Sequence, residues 1–147
     1  TIQKKDGLHI NIDAPFYNDP APQEASGSLW ELWKYEVVEI FLVDSNGQYL
    51  EAEFGPHGHH LLLWLDSPRN ITKKHLPVSY SAKIQGNRWK GTVHMDFSIL
   101  PDPIVQWNIF SIHGQEGHRN YHCMKPLQTP KPDFHRPDQF PLFPEAS

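Results

Sequence analysis

Apolar and polar residues alternate cleanly from Leu8 to Asp13, but the chain is organised around a β-rich stretch from Val37 to Phe54. Two β-rich runs, Val37-Val38-Glu39-Ile40-Phe41-Leu42-Val43 and Tyr49-Leu50-Glu51-Ala52-Glu53-Phe54, flank Ser45-Asn46-Gly47. This pattern predicts a β-hairpin with a three-residue loop, Gly47 taking the left-handed position. Such a loop sets Asp44 opposite Gln48, Val43 opposite Tyr49, Phe41 opposite Glu51 and Glu39 opposite Glu53. Successive strand residues point to opposite faces. One face then carries Val38, Ile40, Leu42, Leu50, Ala52 and Phe54, an apolar core face. The other carries Val37, Glu39, Phe41, Val43, Tyr49, Glu51 and Glu53, aromatics among carboxylates. A one-residue slip would turn carboxylates into the core, so the register is well specified. Acids beside aromatics on a sheet face fit a concave polar site, or an ordinary solvated face with a few exposed acids.

Elsewhere the chain reads as further strands joined by irregular loops. Leu8 to Asp13 alternates as a half-buried strand. Ala14 to Ser28 is rich in Pro, Gly, Asp and Ser and reads as a loop. Trp30 to Trp33 is a turn or short helix delivering two tryptophans to the rim. His59 to Leu65 reads as a strand covered on both faces, and Asp66 to Leu76 as a polar loop. Val78 to Ile84 and Trp89 to Met95 form a second hairpin about Gln85-Gly86-Asn87. Phe97 to Pro101 is a short helical turn stopped by proline. Val105 to His113 is a strand, and Tyr121 to Cys123 a short one. Seven to nine strands at this spacing predict an all-β fold, a two-sheet antiparallel β-sandwich of jelly-roll or immunoglobulin-like architecture. The expected domain is single, residues 1–147. Its Pro-rich C-terminal segment, about 126–147, is expected to pack on the body through Phe134, Phe140, Leu142 and Phe143.

Composition narrows the function classes. A chain of 147 residues is long enough for a sizeable core. A formal charge of -4 and no basic stripe argue against nucleic acid. No apolar run is long enough to span a membrane. The chain opens at Thr1 and not Met, as a trimmed or processed form would, so a missing leader says nothing. The lone Cys123 excludes an internal disulfide and leans toward a reducing, cytoplasmic compartment. Asn70-Ile71-Thr72 is a glycosylation sequon that matters only on secretion. The oligomeric state is open.

Several groups carry candidate chemistry. His57 and His59 could share a face and, with Glu51 or Glu53, hold a metal, but surface or hydrogen-bonded histidines carry the same spacing. Asp44, Glu51, Glu53 and loop carbonyls are oxygen ligands of the kind calcium takes, although no EF-hand loop is present. Three carboxylates on one face also resemble a glycosidase pair, yet such acids bind sugar hydroxyls without chemistry. No nucleophile elbow, P-loop or dinucleotide fingerprint occurs. The balance leans away from an enzyme. Trp64, Trp89 and Trp107 read as core. Trp30 reads as a plug at the sandwich end, and Trp33 as either a plug or a stacking ring.

Four blocks carry a resemblance. Trp33 to Leu42, Tyr49 to Pro56, Trp107-Asn108-Ile109 and Phe134 to Phe140 resemble family 9 carbohydrate-binding modules. More narrowly, Leu32 to Glu39, Tyr49 to Glu53, Pro56-His57-Gly58 and Pro132-Asp133-Phe134-His135 resemble a family of uncharacterised small single-domain animal proteins of the same group. Such modules are β-sandwiches that hold sugar chain ends between two aromatic rings, often with structural calcium. The resemblance implies Trp33 as one ring, Glu39 as the matching acid and Phe134 as the second ring, with His135 beside it. It sets Glu51 and Glu53 where sugar binders tend to carry Arg and Asn. Phe in place of a usual Trp weakens stacking. The added acids repel one another unless a cation, a basic ligand, an amino sugar, Arg136 or His57 balances them.

Three readings follow. The first is a non-catalytic binding module for carbohydrate or a similar small polar ligand, using Trp33, Glu39, Glu51, Glu53, Phe134 and His135. It needs no cofactor, with calcium as an expected structural ion. The second is a metal-assisted enzyme using the carboxylates with His57 and His59. The third is a protein-interaction sandwich with a vestigial pocket, for which Trp33 and Phe134 would be occluded.

Overall fold

In the computed structural model, which describes residues 2–4, 6–115, 117–129 and 133–144, the alternating runs become strands of two sheets. In chain order the strands are β1 (Ile2–Lys4), β2 (Leu8–Pro15), β3 (Gly27–Ser28), β4 (Val37–Val43), β5 (Tyr49–Phe54), β6 (His59–Ser67), β7 (Asn70–Lys73), β8 (Ser79–Gln85), β9 (Arg88–Met95), β10 (Gln106–His113) and β11 (Asn120–Cys123). A four-stranded sheet runs β1-β2-β9-β8, and a seven-stranded one runs β11-β10-β4-β5-β6-β3 with β7 paired to β6. All pairings are antiparallel except β3 on β6, which is parallel. The protein is an all-β sandwich. Among the described residues no helix is long and apolar enough to cross a membrane.

The β4–β5 hairpin has the predicted register: Val43 pairs with Tyr49, Phe41 with Glu51 and Glu39 with Glu53. Gly47 is left-handed at φ 82°. Asp44 fixes the turn, its carboxylate accepting the backbone N–H of Asn46 and of Gln48. The face carrying Ile40, Leu42, Leu50, Ala52 and Phe54 packs against Leu8, Ile10, Trp89, Val93 and Met95 of the smaller sheet. This is the interlayer core, and desolvation of these side chains drives the two sheets together. Trp89 is fully buried there, while Trp64 and Trp107 are half-buried against it.

The opposite face of the large sheet is not solvated. It holds a second apolar cluster: Leu32, Val37, Phe41, Val43, Tyr49, Leu61, Leu63, Leu65, Phe110, Ile112 and Phe140. Two non-sheet segments cover it. One is the 3-10 turn Leu32–Lys34, which buries Leu32. The other is the C-terminal segment, which docks Phe134 and Phe140 and returns to the sheet where Leu142 bridges Gln106. Phe134, Phe140 and Phe143 of the tail pack on the two clusters. Leu142, expected to pack with them, is 81% exposed. Positions 130–132 and 145–147 of that segment, including Pro132 of the quoted motif, lie outside the described residues.

Three short strands exceed the sequence count. β1, β3 and β7 have three, two and four residues, too few to show a period. β7 lies within the stretch read as a loop; only its Ile71 turns inward. Trp30 is not a plug. It is 38% exposed, edge-on to Trp33 at 5.1 Å, with the Lys74 ammonium 4.3 Å over its ring.

Candidate functional site

Period-two geometry places Glu39 of β4 with Glu51 and Glu53 of β5 on the covered face. In register, Glu39 lies between Phe110 and Glu53, and Glu53 between Glu39 and Leu61. The carboxylates thus sit mid-sheet among apolar neighbours, and the solvated-face reading fails: they are 3%, 4% and 0% exposed in chain order. One oxygen of each lies within 4.8 Å of the other two.

The electrostatics follow from that burial. Desolvation is the main force raising the Glu39 carboxyl well above its ordinary range; Glu51 adds to it and the Arg119 guanidinium opposes it. Glu53 is raised likewise, by desolvation first, then by Glu39 and Glu51. Neither Glu53 oxygen has a hydrogen-bond partner among the described residues. The balancing groups expected from sequence are elsewhere. Arg136 is taken by Asp138, and His57 is an exposed turn residue edge-on to Phe16. Arg119 is the near cation, but it donates to the backbone carbonyls of Gly114, Trp33 and Tyr35.

Above the carboxylates the cover leaves a cavity of about 330 Å³. Trp33 lines it from the 3-10 turn, Phe134 and His135 from the C-terminal segment, and Tyr121 from β11. Glu39 and Glu51 form its polar floor, with Leu63, Leu65, Ile71 and Ile112 as apolar floor and walls. Arg69 and Asp133 close one side with an ion pair of 2.7 Å. Five of the six predicted ligand residues, Trp33, Glu39, Glu51, Phe134 and His135, therefore meet in one cavity. Glu53 belongs to the carboxylate cluster but does not line the cavity.

A relay orders the His135 side. The Tyr49 hydroxyl accepts the backbone N–H of Arg69 at 3.2 Å and lies 2.7 Å from His135 Nδ1. Burial pushes the Tyr49 phenol up to about 12, so the hydroxyl keeps its proton beside Nδ1. On the other side of the ring Nε2 lies 3.4 Å from Glu51 Oε1. Burial also lowers the His135 pKa, which favours the neutral ring.

The candidate metal ligands outside the carboxylate cluster, His57 and His59 of one expected set and Asp44 of the other, stand apart from it or are engaged elsewhere. Asp44 and His57 stand in the turns at opposite ends of β5, a strand of six residues and hence about 20 Å. His59 shares the carboxylate face, but its Nε2 bonds the Glu24 carbonyl at 2.8 Å. Among the described residues the metal-ligating groups that do converge are Glu39/Glu51/Glu53 and, on the smaller sheet, Asp6/His9/His94. The Cys123 thiol is raised by burial, the opposite of an activated nucleophile.

Sequence reasoning missed Arg69, Asp133, Tyr121 and Arg119. Arg69 and Asp133 are 64 positions apart; nothing local marks Arg69, and Asp133 stands in the quoted motif without a role assigned to it. Arg119 follows a Gly-rich turn whose only signal was the turn itself. A second, larger cleft of about 600 Å³ opens between the two sheets beside Trp107 and Met124. Its walls are core side chains such as Ile10, Ile12, Val38 and Ile40, and no carboxylate cluster faces it.

The chain is similar to known proteins in fold and in sequence. No family model matches the chain, so the likeness to family 9 modules stays with the motifs that carry it. In fold it is similar to a crystal structure of a "putative carbohydrate-binding protein" from Bacteroides uniformis, with a TM-score of 0.66 and 16% identity over 90% of this chain and 69% of that one. In sequence it is 42% identical over 146 residues to the mouse UPF0462 protein C4orf33 homolog, covering 93% of this chain and 76% of that protein. It is 40% identical to human UPF0462 protein C4orf33, covering 93% and 73%. The zebrafish homolog is 38% identical over 148 residues, covering 95% and 75%. On these relatives, the chain belongs to the UPF0462 (C4orf33) family.

Proposed function

We propose that the covered cavity is a non-catalytic binding site for a carbohydrate end or a similar small polar ligand. One observation carries the reading. Trp33, Glu39, Glu51, Phe134 and His135, from three separate stretches of the chain, line one cavity with two aromatic side chains and two carboxylates. Apolar C–H faces of a sugar stack on rings such as Trp33 and Phe134, while Glu39 and Glu51 accept its hydroxyl protons. His135 Nε2 and the Arg69–Asp133 pair add polar groups at the side. Trp33 and Phe134 are half-buried and both reach the cavity, the arrangement a ligand site needs and a vestigial pocket does not. The fold likeness to the Bacteroides protein and the motif likeness to family 9 modules support the same reading.

A glycan array on wild type beside Trp33→Ala tests it. The expected result is a defined set of sugars bound by wild type and lost, by about tenfold or more, in the variant. Signal that survives unchanged in a folded Trp33→Ala protein would place the binding elsewhere.

A further inference from the structure

We propose that Glu39, Glu51 and Glu53 hold a hard divalent cation, calcium foremost, at the floor of this cavity. The inference deepens the ligand reading and rests on it in one respect only: the bound sugar would complete the ion's coordination. The cation site itself stands on separate observations.

The carboxylates are fixed by strand register and not by flexible loops. Glu39 and Glu53 are directly paired across β4 and β5, and Glu51 lies two residues along the same face. Like charges directly opposite destabilise a sheet pair. Their nearest oxygens span no more than 4.8 Å. Two oxygens about 2.4 Å from one calcium ion are at most about 4.8 Å apart, a limit that each pair of these carboxylates meets. An all-oxygen set selects calcium, magnesium or manganese over zinc or copper.

A second observation points the same way. Glu53 is fully buried, and both its oxygens are unpartnered among the described residues. Buried polar atoms are nearly always hydrogen-bonded or coordinated, so an orphaned carboxylate marks a group still to be supplied. The basic side chains nearby are directed elsewhere. Arg119 serves three carbonyls and Arg69 serves Asp133. His135, aimed at Glu51 Oε1, suits a neighbour that orients a ligating carboxylate. Glu53 supplies the ion's buried side. Glu39 and Glu51 reach the cavity, so the remaining coordination positions face it and are open to water or to adjacent sugar hydroxyls.

The test is calorimetric titration of the EDTA-treated, dialysed chain with calcium chloride alone, then with magnesium chloride, near neutral pH. The expected result is one calcium per chain with a dissociation constant below about 1 mM. Glu53→Gln should weaken it about tenfold or more. Lys83→Ala, at an exposed position on β8 of the smaller sheet, should bind calcium as wild type does. Calcium heat absent up to several times that concentration, or unchanged in a folded Glu53→Gln protein, overturns the proposal and leaves the acids to share protons. The two readings fail separately. Glycan binding that persists in EDTA removes the cation's role and keeps the sugar site. Calcium binding with a silent array keeps the ion and removes the sugar.

Discussion

The rings of Phe110 and Phe134 stack with centroids 3.8 Å apart, 16° from parallel. Phe110 belongs to β10, in register with Glu39, so a wall of the cavity is anchored beside its floor. Phe134 also meets Tyr121 edge-on at 5.8 Å. One contact thus docks the C-terminal segment and fixes a cavity-lining ring. Phe134→Ala should lose glycan binding about tenfold and cost about 1.5–3 kcal/mol of stability, while Phe134→Trp should retain both. Array signal and denaturant midpoints read the two effects. An alanine variant with normal binding would remove Phe134 from the site.

The buried acids make a signed prediction about pH. The Glu53 carboxyl is raised in the folded state, so folding retains a proton that the unfolded chain has released above its own pKa of about 4.3. Stability is therefore full below that value and falls as pH rises through the higher folded pKa. Glu53→Gln removes this loss. In EDTA its melting temperature should exceed that of wild type at pH 8, and the gap should shrink toward pH 4. A gap that is constant with pH, or wild type more stable throughout, would mean that Glu53 carries no folded-state proton.

His60 carries the opposite sign. Burial is the main cause of its lowered pKa, with the charges of His59 and His75 adding to it, and its buried Nδ1 has no partner among the described residues. The unfolded chain takes up this proton near pH 6.5 before the folded one does. Stability from His60 is present above that pH and is lost as pH falls through the folded pKa. His60→Phe, edge-on to Tyr80 as the imidazole is, should flatten the decline of wild-type stability between pH 7.5 and 5. Parallel declines in both proteins would contradict it.

Tyr80 lies against Gly91 and ties the two sheets together. Its hydroxyl donates to the Gly55 carbonyl at 2.6 Å, and a Cβ at position 91 would come within 2.9 Å of its ring. Gly91→Ala should cost about 1–3 kcal/mol through this overlap. Tyr80→Phe should cost about 1 kcal/mol by leaving the Gly55 carbonyl unpaired. Urea unfolding measures both. A neutral Gly91→Ala would show that the ring moves aside freely.

What could be read in the sequence was whatever a period of two could carry. Val37 to Phe54 alternates across a glycine turn, so its register, its core face and the shared face of Glu39, Glu51 and Glu53 all followed. That this second face is buried did not follow. Its cover comes from a three-residue 3-10 turn and a proline-rich segment, neither of which has a hydrophobic period. Trp33 and Phe134 were reached through motif spacing, but Arg69 and Arg119 join the cavity through tertiary contacts alone. His57 turns out to solvent and His59 bonds the Glu24 carbonyl, tertiary placements that their spacing in the sequence does not reveal.

The indole N–H signals of Trp30, Trp33, Trp64, Trp89 and Trp107 offer separate reporters in one heteronuclear spectrum, assigned by single substitution. Trp33 lines the carboxylate cavity, Trp107 lines the cleft between the sheets, and Trp89 is sealed in the core. Titration with the strongest array sugar in the presence of calcium should move the Trp33 signal while those of Trp89 and Trp107 stay in place. Movement at Trp107 with Trp33 unchanged would contradict the account.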